Sequence, residues 1–359
     1  MVGRIAIIGI VGVPPRYGGF ETLADQLIDS LSFQFEFTVY CSGSGMKTKN
    51  SLYKGARLRY VPIRANGLAS VLYDGISILD AVKRSLPTLL VLGVSGAITF
   101  PLVRFLAPKT RIVVNVDGIE WKREKWGVLA RVFLRFCERI AVKYSTMVIA
   151  DNQGIVDHVR KQYGKRAELI SYGGDHVKPR SKPLHTRLGL PATDYLCAVC
   201  RIEPENNVEM ILQAYKQTKT DRPLVFVGNW NNSVFGKRLR SEYASSRCLL
   251  IDPIYDGPMI DSIRTFAALY IHGHSAGGTN PSLVEAMYFN KPIVAFDVCY
   301  NRHTLGLSGT FFESATELAR IIDNFGKSTW IENVGVLKTK AERCYSWEHI
   351  SAQYAKLLR

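Results

Sequence analysis

The 359-residue sequence contains no G-x-G-x-x-G element, no unbroken apolar run of membrane-spanning length, no low-complexity tract and no internal repeat. Without that glycine fingerprint, a dinucleotide-binding first domain is poorly supported. The longest apolar stretch, LPTLLVLGVSGAITFPLVRFLAP over 86–108, is broken by Gly93, Ser95, Gly96 and Pro101. It therefore predicts a buried strand over 88–94, a turn and a packed helix rather than a bilayer crossing. Cysteines are few and odd in number, and no secretory signal opens the chain, so a reducing cytoplasm is expected rather than a disulfide framework. The one C-x-x-C, Cys197 and Cys200, lies in an apparent strand with no second pair, which places it in the core rather than on zinc, a metal that normally draws four ligands. The seven histidines are scattered; neither a Ser-His-Asp arrangement nor a metal cluster emerges, and His272 and His274 are expected to point to opposite faces of a strand end. No metal is expected.

What is present is a folded protein with 47% hydrophobic and 21% charged residues, long enough for two domains. Charge of one sign dominates: the net is +15, and residues 1–180 hold 26 Lys plus Arg against 14 Asp plus Glu, a net of +12. A basic first half suits an anionic membrane, a diphosphate-bearing molecule or nucleic acid.

Along the chain, short β-branched runs alternate with helical patterns. RIAIIGIVG, FEFTVYCS, TLLVLGVS and RIVVNVDG occupy the first half; YLCAVCR, PLVFVGN, CLLIDPI, AALYIHG and PIVAFD follow in the second. This alternation predicts an α/β protein of two doubly wound parallel sheets. The glycine-, proline- and base-rich stretch 169–191 marks the boundary, giving domains 1–180 and 181–340, with a C-terminal helical segment 341–359 packing back toward the first domain. Ligands of such sheets bind at the carboxyl ends of strands, so the loops there are the places to search.

Four of those loops carry chemistry. In GIVGVPPRYGGFETL, Gly18 and Gly19 precede a helix, where close backbone approach and the helix start favour an anion; a plain strand–helix turn is the alternative. In NVDGIEWKREKW, Asp117 and Glu120 follow a strand and can hold sugar hydroxyls or accept a proton. The helix after them sets Leu129, Phe133, Phe136 and Ile140 beside Arg131, Arg135, Arg139 and Lys143, flanked upstream by Trp121 and Trp126; this suits anionic lipid or merely a solvated face. In VCRIEPENN, Arg201 follows a strand and can offer its planar fork to a phosphate or bridge to Glu203 or Glu205. In HSAGGTNPSLVEAM, Gly277 and Gly278 precede a helix capped by Thr279 or Asn280 and begun at Pro281, and Glu285 lies one turn in. Free amides there make an anion pocket, and the carboxylate suits adjacent hydroxyls of a ribose.

Together these four segments resemble GT-B glycosyltransferases of the large retaining family 4, in the branch with a DUF1972 N-terminal domain that includes rhamnosyltransferases of bacterial polysaccharide synthesis. The resemblance implies two Rossmann-like domains facing a cleft. It implies a donor site of Gly18, Gly19, Arg201, Asn206, Gly278, Thr279, Asn280, Pro281, Ser282 and Glu285, with Arg201 on the diphosphate and Glu285 on the ribose. Asp117 and Arg201 are the catalytic candidates; Tyr17, Asp117 and Glu120 are expected on the acceptor side. Two positions depart from the family pattern: Gly277 stands where an acid is usual, and Asn206 where a lysine is. The implied activity is transfer of a sugar, L-rhamnose from dTDP-rhamnose, onto a lipid-diphosphate-linked saccharide, without cofactor or nucleic acid, at the inner face of the cell membrane. The rival readings are the same fold using a UDP- or GDP-sugar, a nucleotide-sugar-modifying NAD enzyme, and a basic nucleic-acid binder.

Overall fold

Apolar runs of four to eight residues too short for helices become strands, and their near-continuous rather than alternating hydrophobicity marks sheets covered on both faces. The computed structural model describes residues 3–15, 18–44, 49–123, 126–326 and 334–359. The first sheet is built from β1 (Gly3–Ile8), β2 (Phe35–Ser42), β3 (Leu52–Tyr53), β4 (Ala56–Val61), β5 (Thr88–Leu92), β6 (Arg111–Asn115), β7 (Met147–Ala150) and β8 (Glu168–Leu169). Between them run helices α1 (Gly19–Leu31), α2 (Ala69–Lys83), α3 (Phe100–Leu106), α4 (Val128–Tyr144) and α5 (Gln153–Tyr163). Strand order is β3-β4-β2-β1-β5-β6-β7-β8, parallel except for the β3–β4 hairpin at one edge.

The second sheet comprises β9 (Leu196–Val199), β10 (Leu224–Val227), β11 (Cys248–Ile251), β12 (Leu269–His272), β13 (Ile293–Phe296) and β14 (Thr310–Phe312). Its helices are α6 (Val208–Gln217), α7 (Val234–Tyr243), α8 (Gly257–Phe266), α9 (Pro281–Met287), α10 (Cys299–Leu305), α11 (Ala315–Asp323) and α12 (Val334–Cys344). The order β11-β10-β9-β12-β13-β14 is wholly parallel. Two doubly wound α/β units thus stand where the alternating pattern puts them.

The first unit comprises Met1–Lys122, Trp126–Tyr172 and Trp347–Arg359; the second holds Gly173–Ser346 with the short stretch 123–125. The division at 172/173 precedes the 180/181 read from composition, for a local reason. Gly174 lies so close to α9 that a Cβ there would sit 2.7 Å from the Val284 side chain, and its amide donates to the Tyr345 carbonyl at 2.7 Å. At the far end, residues 341–344 complete α12, whose Leu337 and Ala341 enter the second unit's core. Only α13 (Trp347–Leu358) returns to the first unit, burying Ile350, Tyr354 and Leu358 in the same core as Leu23, Leu27 and Ile28 of α1.

Candidate functional site

In a doubly wound sheet, the strand order reverses at one point, and the loops leaving the two strands there diverge to open a crevice. The first unit reverses between β1 and β5. β1 is followed by Gly9, whose φ of +99° and near-contact with the Leu92 carbonyl admit no side chain. The loop then runs to Gly18, the cap of α1 with φ +139°. Gly18 is required for a reason other than a ligand: a Cβ there would lie 2.0 Å from Glu21 Oε2. Glu21 is buried, its Oε1 accepts the Val11 amide at 2.9 Å, and burial raises its carboxyl above the ordinary range against that bond. The loop thus carries its own acid beside Gly18 and Gly19. Tyr17 lies outside the described residues.

Asp117 follows β6 with φ +58°, a left-handed conformation uncommon for a side-chain-bearing residue but tolerated by Asp. Its amide donates to Asn115 Oδ1 at 3.0 Å, and Asn115 Nδ2 donates to the Tyr354 hydroxyl of α13 at 3.1 Å. The C-terminal helix therefore sets the turn that carries Asp117, a link invisible in sequence. Glu120 accepts the Trp126 indole N–H at 3.0 Å, and Trp121 donates to buried Glu138 at 2.9 Å. Both tryptophans expected at a lipid interface are thus tied to glutamates of their own unit.

The second sheet reverses between β9 and β12. Arg201 leaves β9 with its side chain 36% exposed and a long contact of 3.5 Å to Glu203, so its fork keeps donors to offer. Asn206 is buried and donates to the Arg201 carbonyl at 2.7 Å; it holds the arginine's backbone. The β12 loop is pinned to the same place: Ser275 donates to the Glu205 carbonyl through both its amide and its hydroxyl, and Asn207 donates to the Gly273 carbonyl. Gly277 has φ +111° with open space on the Cβ side. The departure from an acid there accompanies a backbone turn that side chains rarely adopt.

α9 begins after Asn280, whose side chain accepts the Ser282 amide at 3.1 Å and hydroxyl at 2.9 Å, while its carbonyl takes the Leu283 and Val284 amides. Pro281 has no N–H to offer. The free amides expected at this seven-residue helix are therefore largely engaged by Asn280; Thr279 is buried, and Gly278, Pro281 and Ser282 are half-buried.

Glu285 is no odd acid in an apolar helix. Its Oε2 meets Arg264 Nη2 of α8 at 2.6 Å, and its Oε1 lies 3.4 Å from His176 Nε2. Arg264 is itself buried. Burial favours the neutral acid, but the Arg264 charge, followed by His176, outweighs it and holds the carboxyl below its ordinary range. The carboxylate is ionised, oriented, and retains acceptor capacity beyond these two partners. Neither Arg264 nor His176 was among the residues read from sequence.

His272 and His274 overturn one expectation. Residues two apart on a strand return to the same face, and the rings stack 4.3 Å apart at 10°. His272 is buried with neither ring nitrogen partnered, and burial pushes it down to about 3. His274 is also lowered well below its ordinary value, by burial and then by His272 and Arg201. Among the described residues, no group of three or more His, Cys, Asp or Glu is placed to hold a metal. Cys197 and Cys200 carry free thiols raised by burial.

Comparison with known proteins now decides the class. Residues 2–175 match the domain of unknown function DUF1972, and residues 186–330 match the family of glycosyl transferases group 1. The chain has the GT-B fold and carries a glycosyl transferases group 1 domain. Sucrose-phosphate synthase (tll1590) from Thermosynechococcus elongatus superposes on it with a TM-score of 0.81 at 15% identity, covering 99% of this chain and 98% of that one. Alr3699/HepE of Anabaena, solved with UDP and glucose, gives 0.76 at 15% identity over 99% of both chains. A glycosyltransferase from Rickettsia africae gives 0.74 at 12% identity, covering 99% and 97%. No curated protein matches by sequence.

Proposed function

We propose that the protein is a retaining transferase moving L-rhamnose from dTDP-rhamnose onto a lipid-diphosphate-linked saccharide. The observation that carries a sugar-nucleotide donor is that Arg201 and the ionised, locked Glu285 follow β9 and β12, the two neighbouring strands at which the sheet order reverses. Arg201 pairs with the diphosphate, and the remaining lone pairs of Glu285 accept ribose hydroxyls. As the bond from sugar C1 to the diphosphate oxygen breaks, the acceptor oxygen bonds to C1 from the same face and its proton passes to the departing diphosphate. The protein positions the two partners and stabilises the leaving charge. Asp117 orients the acceptor hydroxyl, and this reading calls for no metal or cofactor. Rhamnose and the lipid-linked acceptor rest on the four-motif resemblance; the basic first half supports an anionic, membrane-held acceptor.

A second donor has a specific observation in its favour, since Anabaena HepE was solved with UDP-glucose. Thermal stabilisation by a panel of sugar nucleotides separates them, because a ligand of the folded state raises Tm. dTDP-rhamnose should give the largest rise, with dTDP release on adding a lipid-linked glucose or N-acetylglucosamine. Consumption of UDP-glucose alone would assign the other donor. Arg201→Ala should lower kcat/KM by about 10²–10³-fold, the scale of losing one charge-stabilising donor, with Tm unchanged.

A further inference from the structure

The first unit carries an apolar face that its core leaves unused. α2 exposes Leu68, at the turn before its first residue, and Leu72 at 76% and 64%; the four-residue spacing puts them on one side. On α3, Phe105 is 83% exposed with Leu106 beside it. α4 turns Leu134, Cys137 and Ile140 inward while Leu129, Val132 and Phe136 stay exposed, so part of its apolar stripe looks outward. These surfaces are neighbours: α2 and α4 both pack on the turn 95–99, and α3 packs on α4. Large exposed apolar patches mark interaction sites rather than ordinary surface.

Charge identifies the occupant. The acids of the three helices are withheld: Asp74 and Glu138 are buried, and Asp80 is bound by Arg84 and the Tyr40 hydroxyl. Cations remain outside, with Arg135, Arg139 and Lys143 exposed on α4 and Lys109 following α3. A second copy meeting this face by two-fold symmetry would set those cations against themselves. A bilayer with anionic headgroups satisfies both the apolar side chains and the charges.

We infer that the face formed by α2, α3 and α4 docks the protein on an anionic lipid surface, with side chains of all three helices entering the headgroup boundary. The inference rests on the proposed use of a lipid-linked acceptor, and it locates where that lipid is met. The tryptophans take no part, since their indole N–H groups are occupied by Glu138 and Glu120.

Flotation with vesicles of phosphatidylcholine and phosphatidylglycerol tests it. The wild-type chain should float with mixed vesicles, less so as salt rises, and not with phosphatidylcholine alone. Leu129→Glu with Val132→Glu should cut the bound fraction at least about tenfold by removing buried apolar area, with Tm retained because both side chains are exposed. Phe105→Glu should act likewise from a different helix. Absence of wild-type flotation, or flotation unaltered by these substitutions, overturns the inference. So does a dimer by light scattering that Leu129→Glu dissolves while vesicles go unbound. Turnover of a water-soluble acceptor separates the two readings: it should be unchanged in the variants. Vesicle binding by a wild type that turns over no sugar nucleotide would leave the docking face standing and remove the transferase assignment.

Discussion

Each unit holds a helical glutamate among close partners, and the two are used differently. Glu138 of α4 is enclosed by Trp121 at 2.9 Å, His158 at 2.8 Å and Tyr163 at 2.7 Å, three partners drawn from two elements. Glu285 of α9 has one short partner, a buried guanidinium, and one long one, His176. A carboxylate offers about four lone-pair positions. Glu138 spends most of its capacity binding α4 to α5 and to the turn at Trp121, whereas Glu285 is held in place with capacity to spare. Burial of an acid therefore says little about function; the number and closeness of its partners say more.

The hardest way to break the contrast is Glu285→Ala. It strands Arg264 as a buried, unpaired cation, and the expected cost is about 3–5 kcal/mol of unfolding free energy by denaturant titration, along with loss of donor stabilisation. Combining it with Arg264→Met should restore much of the stability and none of the donor binding. No recovery in the double variant would show that the pair is not the source of the loss. Glu138→Gln is the matching change in the first unit: it should cost about 1–3 kcal/mol and leave the Tm rise given by the donor untouched. If that rise shrank, the division between a packing acid and a site acid would fail.

The effect of His272 appears only on acidification. Its folded value of about 3 lies below the ordinary 6.5, so between those values the unfolded chain binds the extra proton. Stability is full above pH 6.5 and falls as pH drops toward 3, at about 1.4 kcal/mol per pH unit. His272→Leu should flatten that limb by one proton in denaturation curves measured from pH 7 to 4. An unchanged slope would show that His272 titrates freely in the fold.

The sheets were legible because strands covered on both faces must be apolar throughout, and runs such as Ile5–Ile8 and Leu224–Val227 announce themselves. Arg201 and Glu285 were legible as positions, the first just after a strand end and the second one turn into a helix. What sets them was not. Arg264 and His176 reach Glu285 from α8 and from the 173–180 segment, and no spacing along the chain encodes that meeting. Asn206 reads as a polar substitute but acts on the Arg201 backbone. The stacked histidines were misread by a simple slip of periodicity, since two residues along a strand is a full period. Leu129 and Phe136 left lipid and solvent both open, because an apolar side chain carries no mark of what covers it.

α13 has a consequence for how the polypeptide matures. The first unit is assembled from stretches far apart in sequence, and the core built on β1 and α1 is completed only by Ile350, Tyr354 and Leu358. During synthesis from the N-terminus, the 173–346 unit has its whole sequence made before α13 is, while the earlier-made unit waits for α13. The order of completion is the reverse of the order of translation. The contacts that close the first unit span most of the chain's length, the slowest kind to form because loop closure precedes any reward. A stop codon ahead of α13 would thus leave the second unit whole and the first without its final wall and without the Tyr354–Asn115 bond that sets Asp117.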